Sequence, residues 1–393
     1  MTQNEMLQAG YDIIYLINCM VNKRKPDQER LTRMDMAGIY KVSSFHNLAA
    51  VVYKSILLSG NEIVLDDELC RRWKEKTDKA TRKNILLDIE REELFAFCEK
   101  NKIWYLPLKG VILKSYYPQD GMRQMADNDI LFDSSYREEI YQWFTGRGYE
   151  AEYEISNHDC YYKEPVYNFE MHVSLFGNTH EQVWVKYYED VKERLCRDKT
   201  KQYLYHFTPK DFYIYLICHA YKHYNASGTG IRTLLDFYMY LTNEAGKLDW
   251  NYIREETGKL GVAEFEEEMR VLCKKLFAET ENFQESLTDK ERKILESIIL
   301  SGTYGTRDQS IRRKLAEISA DEESISLKTK CIYWKQRAFP DSTHMEVWTK
   351  MYSPFLNRHH CYGMLAKIWR IIYVIFRKNS VVWEEWKILH KYK

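Results

Sequence analysis

Proline and glycine are scarce in this chain, at 7 and 16 of 393 residues. That excludes a collagen-like or linker-rich polypeptide. No proline- or glycine-rich stretch divides the sequence, so its parts are expected to pack as one body. Net charge is absent too, with 58 Lys and Arg against 58 Asp and Glu. A globally basic nucleic-acid binder and an acidic-tail protein are thereby excluded, and any charge-driven partner must read a local patch. There is no CxxC pair, and the nine cysteines are scattered from Cys19 to Cys361. This excludes zinc-ligand spacing and predicts reduced thiols in a cytoplasmic protein. Long apolar runs are missing as well. The longest near the C-terminus, residues 371–376, falls far short of the roughly 18 residues a spanning helix needs. The first residues carry neither a basic segment nor a cleavage site, so no signal peptide is expected.

What is present points to a folded protein: 45% hydrophobic residues, 15% aromatic residues and 31 tyrosines. The length suggests two or three domains. Met6, Leu7, Ile13, Ile14, Ile17, Met20 and Val21 recur at helical spacing. Phe45, Leu48, Ala49, Val52 and Ile56 predict another helix, and Leu69, Trp73, Ala80, Leu87, Leu94 and Phe97 a third that ends near Asn101. Short β-branched or aromatic runs at 103–108, 129–132 and 166–175 predict strands. Helical patterns at 111–117 and 134–147 lie among them. Thr208-Pro209-Lys210-Asp211 is a helix start, with Thr as cap, Pro at the first position and a carboxylate able to reach back. Asp249 and Thr288 with Glu291 mark two more. The expected division is a helical lobe over 1–85, an α/β core over 86–200 and a second helical lobe over 201–393.

The chemistry concentrates in residues 107–132. A strand ends at Leu108, Lys109-Gly110 makes a turn, and a helix follows. A glycine there lets backbone N–H groups approach a phosphate, and the helix N-terminus adds positive potential. Arg123 comes next, then Asp127-Asn128-Asp129 leading into a strand. Residues two apart on a strand share a side, so Asp127 and Asp129 aim two carboxylates at one point, a spacing that suits divalent cations. Glu170, in the next strand segment, is placed to add a third carboxylate.

Lys109-Gly110 before a helix, Tyr117-Pro118, Arg123, Asp127-x-Asp129 and then Glu170-x-His172 resemble the bacterial uncharacterised nucleotidyltransferase family, part of the DNA polymerase β-like nucleotidyltransferase superfamily. Downstream, His219, His223, Arg232 and Asp236 resemble its helical segment after the core. The resemblance implies an α+β fold: a small mixed-sheet palm between N-terminal and C-terminal helical lobes. It implies metal held by Asp127, Asp129 and Glu170, two Mg²⁺ ions with Mn²⁺ as a substitute, and phosphate held by Lys109, Gly110 and Arg123. It implies transfer of a nucleoside monophosphate from a nucleoside triphosphate, ATP first, to an acceptor hydroxyl on a small molecule, a peptide or an RNA, with release of pyrophosphate. Two departures from the superfamily pattern are Val111 after the glycine, where serine or glycine is usual, and Asn128 between the aspartates, where an apolar residue is usual. These motivate the alternative of a non-catalytic nucleotide- or partner-binding module.

Simpler readings stand beside these. Arg123 could pair with Asp120 or Asp127 instead of phosphate, and His172 could orient Glu170 or fill the sheet face. His219 and His223 share a helix face and read as cleft histidines more than as metal ligands. Arg232 and Asp236 have ion-pair spacing. Over 364–378, Leu365, Ile368, Trp369, Ile372, Ile375 and Phe376 form one stripe with Lys367, Arg370, Arg377 and Lys378 opposite. The simplest expectation is a terminal helix packed on the core by that stripe. The competing ones are a peripheral membrane helix and a basic arm for an anionic partner such as RNA.

Overall fold

The computed structural model describes residues 1–60, 66–154, 156–278, 282–319, 325–358, 363–377 and 379–391. The first helix, Gln3–Val21, starts with a capping box in which Thr2 and Glu5 satisfy each other's backbone N–H groups. It packs against Met36–Phe45, Ala49–Leu57, Ala263–Phe277 and Asp289–Ser301. The single helix expected over 45–56 is two. The chain turns at Asn47, which takes a left-handed φ of 52°. His46 holds this corner: its Nδ1 accepts the Ile231 N–H at 3.1 Å and its Nε2 lies 3.0 Å from the Ile299 carbonyl.

The long helix expected to end near Asn101 runs from Asp67 to Asn101 and stops at Lys102, a left-handed cap. The boundary expected between residues 85 and 86 falls inside it. One apolar core contains side chains from the first helices, such as Ile13 and Val52, and from the later ones, such as Ile217 and Leu272.

The sheet has five strands: β1 (Tyr105–Pro107), β2 (Asn128–Phe132), β3 (Glu150–Glu152), β4 (His158–Lys163) and β5 (Tyr167–His172). Their order is β1-β2-β5-β4-β3, with β2 and β5 parallel and the other pairs antiparallel. The sheet is therefore mixed, and the fold is α+β. β3 and β4 were not expected from the sequence; β3 has only three residues, too few for alternation to register.

The sheet's two faces differ in kind. Ile130, Phe132, Tyr161, Phe169 and Met171 join Leu94, Phe95, Ile140 and Phe144 in a second core, beneath the helices Asp67–Asn101 and Arg137–Gly146. Phe144 stacks on Tyr161 with ring centroids 4.1 Å apart. Each such buried side chain contributes about 1.5–3 kcal/mol, so this face anchors the sheet. The opposite face carries polar side chains, and the helix Pro209–Ala226 runs over it. That helix begins as expected, with Thr208 capping the Asp211 N–H and Pro209 at the first position.

The C-terminal helix corrects the simplest expectation. Met364–Arg377 is helical, but its stripe faces outward: Leu365 is 84% exposed and Phe376 78%. Lys378 lies outside the described residues. None of the eight described cysteines forms a disulfide, and Cys361 lies outside the described residues.

Candidate functional site

β2 and β5 run parallel in a register that sets Asp129 opposite Glu170 and Leu131 opposite His172. β4 sets His158 opposite His172 and Cys160 opposite Glu170. Facing residues point to the same side, as do residues two apart. Asp129, Glu170, His172, His158 and Cys160 therefore project from one face. Asp129, Glu170 and His172 each bring a ligand atom within 4.8 Å of the others, and so do His158, Cys160 and Glu170. Asp127, one residue before β2, is not in either tight group but lines the same cavity.

That cavity, about 340 Å³, is also lined by Lys109, Gly110, Arg123, His219, Lys222, His223, Arg232 and Asp236. Tyr215, His219, Lys222 and His223 come from the helix Pro209–Ala226, which forms its roof. Arg232 and Asp236 come from the next helix, Ile231–Asn243. The expected cleft residues thus meet across elements far apart in the chain.

The charges within it are paired selectively. Lys109 Nζ lies 2.6 Å from Asp129 Oδ1, and His172 Nε2 approaches the same oxygen at 3.0 Å. Burial opposes ionisation of Asp129, but the Lys109 ammonium and the His172 hydrogen bond outweigh it and hold the carboxyl well below the usual range. Lys109 is held protonated in turn: burial works against its charge, and Asp129 overcomes it. The other two carboxyls move the opposite way. Burial and the nearby Asp129 charge push Asp127 up to about 6 and Glu170 up to about 8. Like charges crowded at one point in low dielectric produce this split, and a divalent cation would relieve it.

Arg123 does not pair with Asp120 or Asp127. Its Nε and Nη2 reach Asp236 Oδ1 and Oδ2 at 2.8 and 3.0 Å, a bidentate pair. Tyr117 donates to the same carboxylate at 2.7 Å. The expected Arg232–Asp236 pair is therefore corrected: Asp236 is taken by Arg123, and Arg232 Nη1 donates to the Gln124 carbonyl at 3.2 Å. Gly110 makes room for this arrangement, since a Cβ there would stand 2.5 Å from Arg123 Nη1.

Two cations remain on the cleft. Among the described residues, neither Lys222 nor Arg232 has a carboxylate within ion-pair distance. Burial, then the Lys109 charge, lowers Lys222 to about 8. Burial, then Arg123, lowers Arg232. His219 and His223 face each other with Nε2 atoms 3.2 Å apart. Burial keeps both neutral, with Lys109 the next cause at His219 and Lys222 at His223.

Asn128 is fully buried, and the long helix satisfies it. Its Oδ1 accepts from Arg91 Nη1 at 3.1 Å and its Nδ2 donates to the Leu87 carbonyl at 3.0 Å. The polar residue between the aspartates ties β2 to Asp67–Asn101 from the side away from the cleft. Lys109 itself adopts φ 42°, costly for a side chain with a Cβ; such conformations persist where the surroundings impose them.

Sequence reasoning missed His158, Cys160, Lys222 and Tyr215. The two-residue spacing of His158 and Cys160, which puts both on one side of a strand, was the signal for the first two. Helical spacing to His219 was the signal for the others.

A family model described as uncharacterised nucleotidyltransferase matches residues 32–278, more than half of the chain and every site residue named above. The protein is thus a nucleotidyltransferase-type α+β protein. It belongs to the uncharacterised nucleotidyltransferase family. No curated protein and no solved structure gives a significant match.

Proposed function

We propose that the protein is a metal-dependent nucleotidyltransferase that moves a nucleoside monophosphate from a nucleoside triphosphate to an acceptor hydroxyl. The observation that carries this reading is the β2–β5 register: Asp129 opposite Glu170, with Asp127 on the same cavity, facing Lys222 and Arg232, which have no carboxylate within ion-pair distance among the described residues.

The donor set fits a divalent cation, since two carboxylates and an imidazole converge within 4.8 Å. His172 Nδ1 is also buried with no hydrogen-bond partner in the described residues, so the ring is held through Nε2 alone. Asp129 and Glu170, with Asp127 lining the same cavity, are the residues that would hold the ion. Bound there, Mg²⁺ or Mn²⁺ supplies charge neutralisation to the acceptor oxygen and to the pyrophosphate leaving group.

The chain's own residues do the rest. Lys222 and Arg232 receive the triphosphate oxygens, Arg232 with the bidentate geometry suited to phosphate. Lys109 keeps Asp129 ionised, and Arg123 fixes Asp236 and the wall beside Arg232. The Pro209–Ala226 roof limits water at the reacting phosphorus. The acceptor oxygen forms its bond to the α-phosphorus as the bond to pyrophosphate breaks. The acceptor's proton passes to a cleft carboxylate or to water.

The Lys109–Asp129 ion pair favours a second reading, since an ammonium already occupies the carboxylate that a cation would take. On it, the chain binds nucleotide or a partner without catalysis. Calorimetry with each ribonucleoside triphosphate, ATP first, plus MgCl₂ separates the two. Metal-dependent binding of one triphosphate, lost in Asp127→Asn, supports the enzyme. Metal-independent binding that survives the substitution supports a nucleotide-binding module, and binding of none counts against the enzyme and favours a partner-binding module.

A further inference from the structure

The helix Met364–Arg377 is mounted with its apolar side outward. Ala366 is 3% exposed. Arg370 Nη1 donates to the Arg337 carbonyl at 3.0 Å. The Tyr373 ring packs 5.6 Å from both Trp348 and Tyr352. These contacts turn Leu365, Ile368, Trp369, Ile372, Ile375 and Phe376 to water, at exposures from 41% to 84%. An amphipathic helix on a globular protein does the reverse. The next helix, Asn379–Lys391, adds Trp383 and Trp386, 59% and 43% exposed. A contiguous apolar strip of this kind marks an interaction surface.

The surrounding charge identifies what covers it. Residues 355–393 contain eight Lys and Arg against two Asp and Glu. A second copy docked face to face would set one basic segment against another, and like charges repel. An anionic bilayer answers both halves of the chemistry: its headgroups attract the basic residues, and its acyl boundary takes the apolar strip. Tryptophans at the edge of the strip suit the headgroup level. The helix has 14 residues, about 21 Å at 1.5 Å each against a hydrocarbon core of about 30 Å. No helix among the described residues is long and apolar enough to cross a membrane. An in-plane orientation remains.

We propose that this face is an interfacial anchor that docks the protein on the surface of an anionic lipid bilayer. The anchor is independent of the nucleotidyl-transfer reading and survives its failure.

Flotation of the full chain tests it, using vesicles of phosphatidylcholine alone and with about 30% phosphatidylglycerol. The expected result is flotation with the phosphatidylglycerol vesicles, weakened by salt. Ile372→Glu and Phe376→Glu should each lower the bound fraction by about tenfold or more with an unchanged circular dichroism spectrum, since both side chains already face water. Absence of flotation with anionic vesicles overturns the proposal, as does equal flotation of wild type and both variants. Light scattering provides a further arm. A lipid-free dimer that Phe376→Glu converts to monomer assigns the face to a second copy and overturns the lipid assignment.

Discussion

The Lys109 ammonium sits 2.6 Å from Asp129 Oδ1, at the point where the carboxylates of the cleft converge. It neutralises one of them and leaves Asp127 and Glu170 to share the repulsion. Relief of like-charge repulsion on removing a carboxylate at pH 7 therefore applies to Asp127, and not to Asp129.

Asp129→Asn and Lys109→Met should each destabilise the metal-free protein by about 3–5 kcal/mol, because either one strands a buried charge. Millimolar MgCl₂ should restore part of the loss in Lys109→Met, where the carboxylates are intact, and none in Asp129→Asn. Denaturant melts with EDTA and with MgCl₂ measure this. Equal midpoints for wild type and both variants would remove the ion pair from the account.

Glu170→Gln should leave metal-free stability at pH 7 close to wild type. Burial and Asp129 push the Glu170 carboxyl up to about 8, so the group is largely protonated there already. The same variant should lose cation-dependent triphosphate binding. Retained binding in calorimetry would take Glu170 out of the cation site.

Lys222→Met and Arg232→Gln should weaken triphosphate binding by about tenfold to a hundredfold, the loss of a charge-assisted contact. Thermal stability should stay level or rise, because each variant removes a desolvated cation that has no carboxylate partner among the described residues. A fall in melting temperature with unchanged affinity would make these residues structural.

Asp236→Ala should cost about 3–5 kcal/mol, since it leaves the Arg123 guanidinium buried without its bidentate partner. Arg123→Lys should not substitute for wild type, because an ammonium cannot make the two parallel contacts. Chemical denaturation of both variants is the check, and a stable Arg123→Lys protein would contradict it.

His46 should contribute acid sensitivity away from the cleft. Burial, opposed by its hydrogen bond to the Ile299 carbonyl, lowers it to about 4 from an ordinary value of 6.5. A depressed histidine must charge on unfolding first, so its contribution is fully present above pH 6.5 and is lost as pH falls towards 4. The loss amounts to about 3 kcal/mol. His46→Gln should flatten the stability–pH curve in that window, and an unchanged slope would refute the role.

Local signals in the chain were enough for much of the framework. Helical periodicity and the Asn101 stop located the long helix, Thr208-Pro209 located the roof helix, and short apolar runs located β1, β2 and β5. These features depend on a residue and its near neighbours, through caps, side-chain spacing and turn chemistry. The corner at Asn47 broke a continuous apolar pattern that periodicity alone reads as one helix. Strand β3 was too short to show alternation.

Asp127, Asp129, Glu170 and the cleft histidines could be singled out from spacing and family resemblance, because those residue types at those positions carry the chemistry. Their partners could not. Which arginine takes Asp236, that Lys109 turns to Asp129, and that Lys222 and Arg232 face the cleft without carboxylate partners among the described residues all depend on contacts between segments up to about a hundred residues apart. The same holds at the C-terminus. By itself the sequence determined that residues 364–377 form an amphipathic helix, since the helical repeat sets which side chains share a face. Only the tertiary structure decided that Ala366, Arg370 and Tyr373 face the protein and the apolar stripe faces out, because that depends on where Arg337, Trp348 and Tyr352 stand to receive the helix.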